Sequence, residues 1–453
     1  MYYPYIDQYQ LYENLPSYIL ISVIMILIMI FIYIKLMFPF WNSQPVYHSY
    51  DFWRTLYSNP FLIHKRFSTK LFINKFCDLK NIETFPFVDV SENDKNQIID
   101  LLQCFYLESE NSMFVFNHEN LEAYLSGHIY SSYISLLYDR SIKQINDEKP
   151  TACISSRSGE LYINIDEDLH NIDEISHTKQ MMTPIYYIDL QCMKRDTSPT
   201  NKTKIMRTLF QTHIYKQQFI DDIEGCRNIE TNNSKIIVSI FRKERELLSG
   251  IVPLSRFKTT YYNMSDMARV QSYMNPFPQH FILVEINASN MDILFDFLED
   301  IKIKNRFSVF ARTDLTNLRG LITSGNIYVY CLKRLDTIYS IYIFRDSRTN
   351  YEYARHNKLI GNSVLQLLAS INNSSSQDLF INGCLHSMSN IVKKMPVYKI
   401  LMVDNITDNI VFTIKYNISR VIDLVDSYMS AYYLYNMVIP WAPVPGSRLF
   451  LIF

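Results

Sequence analysis

Glycine is scarce in this chain, with 9 in 453 residues. Phosphate-binding loops need glycines that let the backbone close around an anion, and no GxGxxG occurs. The one pair at phosphate-loop spacing, Gly320 and Gly325, is followed by Asn326-Ile327 where Lys-Ser/Thr would be required. Nucleotide loops are therefore not expected. Cysteine is equally uninformative as a framework: the seven, Cys77, Cys104, Cys153, Cys192, Cys226, Cys331 and Cys384, are odd in number, scattered and without a CxxC pair. They read as reduced and mostly buried thiols, not as a disulfide frame or a zinc site. The ten histidines show no HExxH spacing, so no metal is expected. An excess of charge of one sign is also missing. A formal net charge of −1 gives no basic field for phosphate backbones and argues against nucleic acid as the main partner.

What the chain does have is apolar material, 48% hydrophobic and 14% aromatic residues, enough for one large or two ordinary cores. From Tyr18 to Ile34 no charge occurs, and Leu36 to Trp41 continue the apolar run after Lys35. About 20 apolar residues at 1.5 Å each cover the roughly 30 Å hydrocarbon layer, so the run is long enough to span. Residues 1–17 carry Asp7 and Glu13 but no Lys or Arg, unlike the basic start of a cleavable signal. The expectation is an uncleaved anchor over 18–38 behind a short tail, 1–17. Lys35, Arg54, Lys65, Arg66, Lys70 and Lys75 all follow the run, and the positive-inside bias then places the remainder in the cytosol as part of a single-pass membrane protein.

Beyond the anchor, helical and extended patterns alternate without repeats or low-complexity linkers. Ser91 to Tyr106 reads as an amphipathic helix capped by Ser91-Glu-Asn-Asp. Extended segments are expected at Thr151–Ile154, Glu160–Asn164 and Pro184–Met193, and a helix from about Lys202 to Phe219. In the second half, Phe281–Ile286 reads as a strand, and Ala288-Ser-Asn-Met-Asp292 as the cap of a helix with Ile293, Leu294, Phe297 and Leu298 on its apolar face. Ile327–Leu332 and Ile338–Arg345 read as a hairpin, with a helix near Ser363 to Ile371. The same order of elements in each half suggests an α/β chain of two related lobes.

Several stretches, in order, carry a resemblance. Phe40-Trp41-Asn42-Ser43-Gln44-Pro45-Val46 resembles the Phe-Trp-x-x-Gln-Pro-Val that opens the catalytic domain of glycylpeptide N-myristoyltransferases. Asn111-Ser-Met-Phe-Val-Phe116 resembles that family's Asn-Met-Phe-x-Phe, and Tyr187-Ile-Asp-Leu-Gln-Cys-Met-Lys-Arg195 lies where its catalytic strand reads Glu-Ile-Asn-Phe-Leu-Cys-Val-His-Lys. Ser249-Gly-Ile-Val252, the strand and helix from Ile282 to Leu298, and Leu401-Met-Val-Asp-Asn-Ile-Thr-Asp-Asn409 follow in the family's order, and Tyr432-Tyr-Leu-Tyr-Asn436 resembles the Tyr-Tyr-Leu-Tyr-Asn strand near its C-terminus. The resemblance implies two tandem acetyltransferase-like (GNAT-like) lobes forming one saddle-shaped mixed sheet with helices. An acyl-CoA-binding lobe would occupy 39–262 and a peptide-binding lobe 263–453.

Acyl transfer from a thioester to a glycine amine needs a base, a stabilised oxyanion and a place for the chain. The resemblance implies the chain's own terminal carboxylate, at Phe453, as general base. The residues are independently suggestive, because Leu449-Phe-Leu-Ile-Phe453 is apolar where ordinary termini are polar and frayed. It further implies backbone amides of Leu190 and Gln191 as the oxyanion donors, Phe40 and Trp41 at the coenzyme end, and Cys192 and Met193 beside the pantetheine arm. Cys192 has no His or Asp partner that would make it a nucleophile. The family's Arg-Ser-Lys-Arg phosphate cradle aligns with Ser198-Pro199-Thr200-Asn201, and so loses three cations. Lys194, Arg195, Asn201, Lys202 and Thr203, with Lys204, stand nearby and are the expected phosphate contacts, or else a solvated basic loop. The histidine of the family's Tyr-x-His-Arg segment falls near Met264, and Val425-Asp-Ser-Tyr428 stands where the family has a glycine-rich turn, which leaves peptide preference and activity open. The implied partners are acyl-CoA as substrate, N-terminal glycine peptides and a membrane, with no further cofactor. The leading expectation is a membrane-anchored acyltransferase. A binding or scaffold protein on the same fold without turnover is the runner-up, and a transferase of different chain length or acceptor the third.

Overall fold

In the computed structural model, the described residues are 8–37, 40–65, 75–107, 112–138, 149–165, 179–195, 199–223, 236–352, 361–415 and 418–453. Asp7, Arg66, Lys70, Asn111, Ser198 and Cys226, singled out above, lie outside them. The first element, α1 (Gln8–Met37), is one helix of 30 residues, about 45 Å long at 1.5 Å per residue. Its Pro16–Tyr33 stretch has a mean hydropathy of 2.5 and no part of it is buried against the protein. It is a helix long and apolar enough to cross a membrane.

The remaining chain builds one 15-stranded mixed sheet from two runs with the same order of elements. The first run is β1 (Ile82–Pro86), α2 (Glu92–Phe105), β2 (Ser112–Phe114), α3 (His118–Leu125), β3 (Tyr133–Tyr138), β4 (Pro150–Ile165), β5 (Lys179–Met193), α4 (Pro199–Ile223) and β6 (Ser239–Glu244). After β7 (Ser255–Asn263) and α5 (Met267–Ser272) comes the second: β8 (Phe281–Ile286), α6 (Asp292–Ile303), β9 (Val309–Thr313), α7 (Leu315–Thr323), β10 (Ile327–Arg334), β11 (Thr337–Glu352), β12 (Gly361–Asn372), α8 (Gln377–Lys394) and β13 (Tyr398–Asp404). β14 (Asp423–Tyr435) and β15 (Leu449–Ile452) close the chain. In both runs the hairpin strands pair antiparallel and the strand after the long helix returns parallel, β5 with β6 and β12 with β13. β14 lies between β6 and β7, and β7 also pairs with β13, which joins the two runs into one sheet.

The two runs also exchange strands. β9 of the second run pairs with β4 of the first, Thr313 opposite Gly159, while β2 of the first pairs with β11 of the second, Phe114 opposite Thr349. β4 and β11, each 16 residues, are long enough to hold their own hairpin partner at one end and the other run's strand farther along. The expected segments Thr151–Ile154 and Glu160–Asn164 are therefore parts of one continuous strand.

Local chemistry explains most starts and stops. Ser91 Oγ accepts the Asp94 amide at 3.1 Å and begins α2, whose Ile98, Ile99, Leu101 and Leu102 are buried. α6 differs from the expectation: Met291 holds the N-cap position and no side chain caps it, because Asn290 turns back to accept the Asn287 amide. The helix expected near Ser363 to Ile371 is a correction, since these residues form the central strand β12. Val364 to Ile371 are all buried, with Leu365 and Leu367 in the core beneath α8 and Leu368, Ala369 and Ile371 in the core beneath α6 and α7. A strand covered on both faces shows no alternation, so its apolar run imitates a buried helix.

α4 lays His213 against the sheet, where Nδ1 meets Ser135 Oγ at 2.7 Å and Nε2 has no hydrogen bond among the described residues. Burial pushes the imidazole pKa down to about 3. Below pH 6.5 the unfolded chain takes up a proton that the folded chain refuses. Stability is therefore retained above 6.5 and lost as pH falls toward 3, by about 1.4 kcal/mol per pH unit. Chemical unfolding of the full chain in detergent micelles at pH 7 and pH 5 should show a smaller loss for His213→Gln than for wild type. Parallel losses would contradict this assignment.

Candidate active site

The apolar tail becomes β15, whose residues are all buried and which runs parallel to β9, Leu449 beside Val309 and Ile452 beside Arg312. Phe453, 4% exposed, ends inside the protein. Its ring stacks on Tyr187 with centroids 4.8 Å apart and planes 3° from parallel. The position opposite is Gly159, and glycine is needed there: a Cβ would lie 2.6 Å from Phe453 Cε1 and 2.5 Å from the Arg312 carbonyl oxygen.

The buried main-chain oxygen of Phe453 needs a partner, and Arg345 of β11 supplies it. Arg345 Nη1 donates to the Phe453 main-chain oxygen at 3.2 Å and to Tyr124 Oη at 3.2 Å, while Nε and Nη2 grip Gln366 Oε1 at 2.9 and 2.6 Å. Burial opposes the charge on Arg345, but Tyr124, Tyr187 and Asp189 around it outweigh burial and hold its pKa above the ordinary value. Tyr124 Oη in turn donates to Asp189 Oδ2 at 3.1 Å, and Tyr106 Oη approaches Asp189 Oδ1 at 3.5 Å. Burial first, with the Asp189 charge adding to it, raises the phenols of Tyr106 and Tyr187 well above their usual range. Burial also raises Tyr124, against the pull of Arg157, so this phenol stays a neutral donor. On the far side Gln366 Nε2 donates to Asp404 Oδ2 at 2.9 Å, which Arg242 Nη1 also holds at 2.7 Å. A continuous polar chain thus links Asp189 of the first run to Asp404 of the second.

Asp189 sits where β5 breaks its register. Cys153 pairs with Cys192 and Ser155 with Asp189, so Leu190 and Gln191 together oppose one residue of β4. Leu190 has φ +48°, a left-handed conformation uncommon for a side chain of this kind. Small donors on β4 hold the bulge: Ser155 Oγ donates to the Asp189 carbonyl at 3.2 Å and Cys153 Sγ to the Leu190 carbonyl at 3.4 Å. Asp189 Oδ1 accepts the Leu190 amide at 2.9 Å. β5 pairs with β6 over Tyr186, Tyr187 and Ile188 only, so the two strands part at the bulge.

The other expected contacts divide into two groups. Phe40, 1% exposed, and Trp41 pack with Met193 of β5 and with Phe210 of α4, and Trp41 stacks on Phe241 at 5.8 Å. The adjoining Gln44-Pro45 is tied to the end of β14, where Tyr435 Oη donates to Gln44 Oε1 and the Asn436 amide to the Pro45 carbonyl. Cys192 is buried on the other face, 3.3 Å from Cys153 Sγ. That hydrogen bond and burial raise its thiol well above the usual value, the opposite of what a nucleophile needs. Lys194 and Arg195 directly follow β5, Arg195 donating to the Leu107 carbonyl at 2.7 Å. Asn201, Lys202, Thr203 and Lys204 lie in the first turns of α4, with Asn201, Thr203 and Lys204 exposed and Lys202 half-buried.

Sequence reasoning missed Tyr124, Arg157, Arg345 and Gln366. Arg157 is 1% exposed in the middle of β4, its guanidinium 3.7 Å from the Tyr124 ring centroid. A charged residue inside one uninterrupted strand was the available signal, hidden by reading 151–154 and 160–164 as separate segments. If Phe453 requires the empty space at Gly159, Gly159→Ala should cost at least about 1 kcal/mol by overpacking. Chemical unfolding of the full chain checks this, and unchanged stability would mean that the terminal ring is not seated there.

No protein-family model matches the sequence, and no curated protein matches it by sequence. Solved structures do match by fold. Crystal structures of Saccharomyces cerevisiae N-myristoyltransferase with bound myristoyl-CoA align at TM-score 0.61 and 13% identity, over 90% of this chain and 89% of that one. A second, of the same yeast enzyme with bound myristoyl-CoA and inhibitors, aligns at TM-score 0.59 and 14% identity, over 91% and 93%. At such identity the likeness is one of fold: this chain has the architecture of an N-myristoyltransferase over nine-tenths of its length.

Proposed function

We propose that the chain is a membrane-anchored, N-myristoyltransferase-like acyltransferase that moves a long-chain acyl group from acyl-CoA to an N-terminal glycine amine. The observation that carries this reading is the buried terminal carboxylate held by Arg345. An α-amine titrates near pH 8, so transfer at neutral pH needs a base, and a carboxylate in a water-poor setting is a competent one. The Leu190–Gln191 bulge would present backbone amides to the thioester oxygen, at the place where β5 and β6 diverge and leave room for the substrate. Phe40, Trp41 and Met193 would pack the coenzyme end, with Cys192 behind the strand. Lys194, Arg195, Asn201, Lys202 and Thr203 would meet the phosphates at the start of a 25-residue helix, whose amino end favours anions. α1 would hold the enzyme in a membrane with its sheet domain in the cytosol, where acyl-CoA is available. No metal or further cofactor enters this reading.

A second reading, a protein that binds acyl-CoA or peptide without turnover, is favoured by the Asp189 carboxylate on the Leu190 amide and by the lost cations at Ser198–Asn201. Extending the chain beyond Phe453 by a few Gly and Ser residues separates the two. The extended protein should bind acyl-CoA but lose transfer to a glycine peptide by roughly 10² to 10⁴ fold, the usual contribution of a general base. Full transfer by a well-folded extended chain would remove the terminal carboxylate from the mechanism, and no transfer by wild type would leave the binding reading.

The phosphate contacts are tested separately. Changing Lys194, Arg195, Lys202 and Lys204 together to Ala should weaken acyl-CoA binding at least about tenfold, since one charged hydrogen bond is worth about 1.5 to 3 kcal/mol. An unchanged dissociation constant would return these residues to a solvated loop.

A further inference from the structure

Arg157 is the one charged side chain of the candidate site whose hydrogen-bonding capacity goes unused. It is 1% exposed, and Nε, Nη1 and Nη2 all lack a hydrogen bond among the described residues. Its contacts are the faces of Tyr124 and Tyr187, 3.7 and 5.4 Å from the ring centroids, and Asp189 Oδ2 at 4.0 Å, beyond hydrogen-bond distance. Asp189 is already supplied with donors by Tyr124 and the Leu190 amide, so it does not need Arg157 to be satisfied. A guanidinium presents five N–H donors, accepts nothing and keeps its charge at any working pH. Such a group buried without hydrogen bonds is costly unless a ligand completes it. The ring it lies on belongs to Tyr124, whose hydroxyl shares Arg345 with the terminal carboxylate, so any group it receives lies within this site.

We propose that Arg157 is the receptor for one anionic acyl oxygen in this site, a role that rests on the acyltransferase reading for one of its two sources. The first source is the thioester oxygen during transfer. Attack of the glycine amine forms the C–N bond and moves the carbonyl π pair onto oxygen, and the amine proton passes to the terminal carboxylate. Collapse restores C=O and breaks C–S, releasing the CoA thiolate. Arg157 would add its charge to the bulge amides in neutralising the intermediate oxyanion, since Asp189 already draws on the Leu190 amide. The second source is the carboxylate of a free fatty acid, which presents the same charge and suits the planar fork.

The test uses the full chain in detergent micelles, as wild type, Arg157→Met and Arg157→Lys, with three probes: myristoyl-CoA plus a glycine peptide in single turnover, a thioether analogue of myristoyl-CoA lacking the carbonyl oxygen, and sodium myristate. If the thioester is the source, Arg157→Met should slow transfer about 10²-fold while binding the thioether analogue as wild type does. If the free acid is the source, Arg157→Met should bind myristate at least tenfold more weakly. Arg157→Lys should recover part of either loss, which a packing role alone would not give, and it carries the comparison if Arg157→Met does not fold. Unchanged transfer and unchanged myristate binding in a folded Arg157→Met would overturn the proposal. A wild type without transfer that still loses myristate binding on substitution would sink the acyltransferase reading and keep the anion site. A wild type that neither transfers nor binds myristate would overturn both.

Discussion

The hydrogen bond from Arg345 to the main-chain oxygen of Phe453 is the interaction on which the centre of this protein depends. A buried guanidinium tolerates the loss of water only when it finds partners. Arg345 finds them in Phe453, Tyr124 and Gln366. Those two residues carry the constraint outward, Tyr124 to the bulge at Asp189 and Gln366 to Asp404 and Arg242. Removing Arg345 would strand these acceptors in the interior, so the same contact that seats Phe453 also fixes how the two halves of the sheet meet.

The duplicated architecture makes that meeting possible. Each run contributes a long hairpin strand, β4 or β11, whose far end receives a strand of the other run. β9 crosses to β4 and brings β15 with it, which delivers the chain terminus to the face of β4 and β5 where Tyr187 and Gly159 wait. The terminus is thus positioned by pairing across the runs and not by local sequence. The bulge at Leu190 and the parting of β5 from β6 then open the sheet beside it.

Much of this was legible in the sequence where the signal is local. The cap at Ser91, the hairpin at Ile327–Arg345, the long apolar helix near the amino end and the apolar tail each rest on residues adjacent in the chain. The two-lobed fold was legible through ordered short matches and the repeated element order. What escaped depends on distance. Tyr124, Arg157, Arg345 and Gln366 come from four elements, and only Arg345 and Gln366, facing each other on the consecutive strands β11 and β12, are neighbours in the chain order. β12 escaped for a different reason, because burial on both faces erases the alternation by which strands are recognised. The occupation of the Leu190 amide by Asp189 is a matter of one side-chain rotation, which no pattern encodes.

The burial of Phe453 can be read directly with a carboxypeptidase acting on the folded full chain in detergent micelles, with the released residue followed by mass spectrometry. A terminus stacked on Tyr187 and bonded to Arg345 should resist release of Phe453 until the protein unfolds, and then yield it at the rate of an unstructured tail. Rapid release from the native chain would contradict the account, because a terminus open to the protease is not the buried carboxylate around which this site is built.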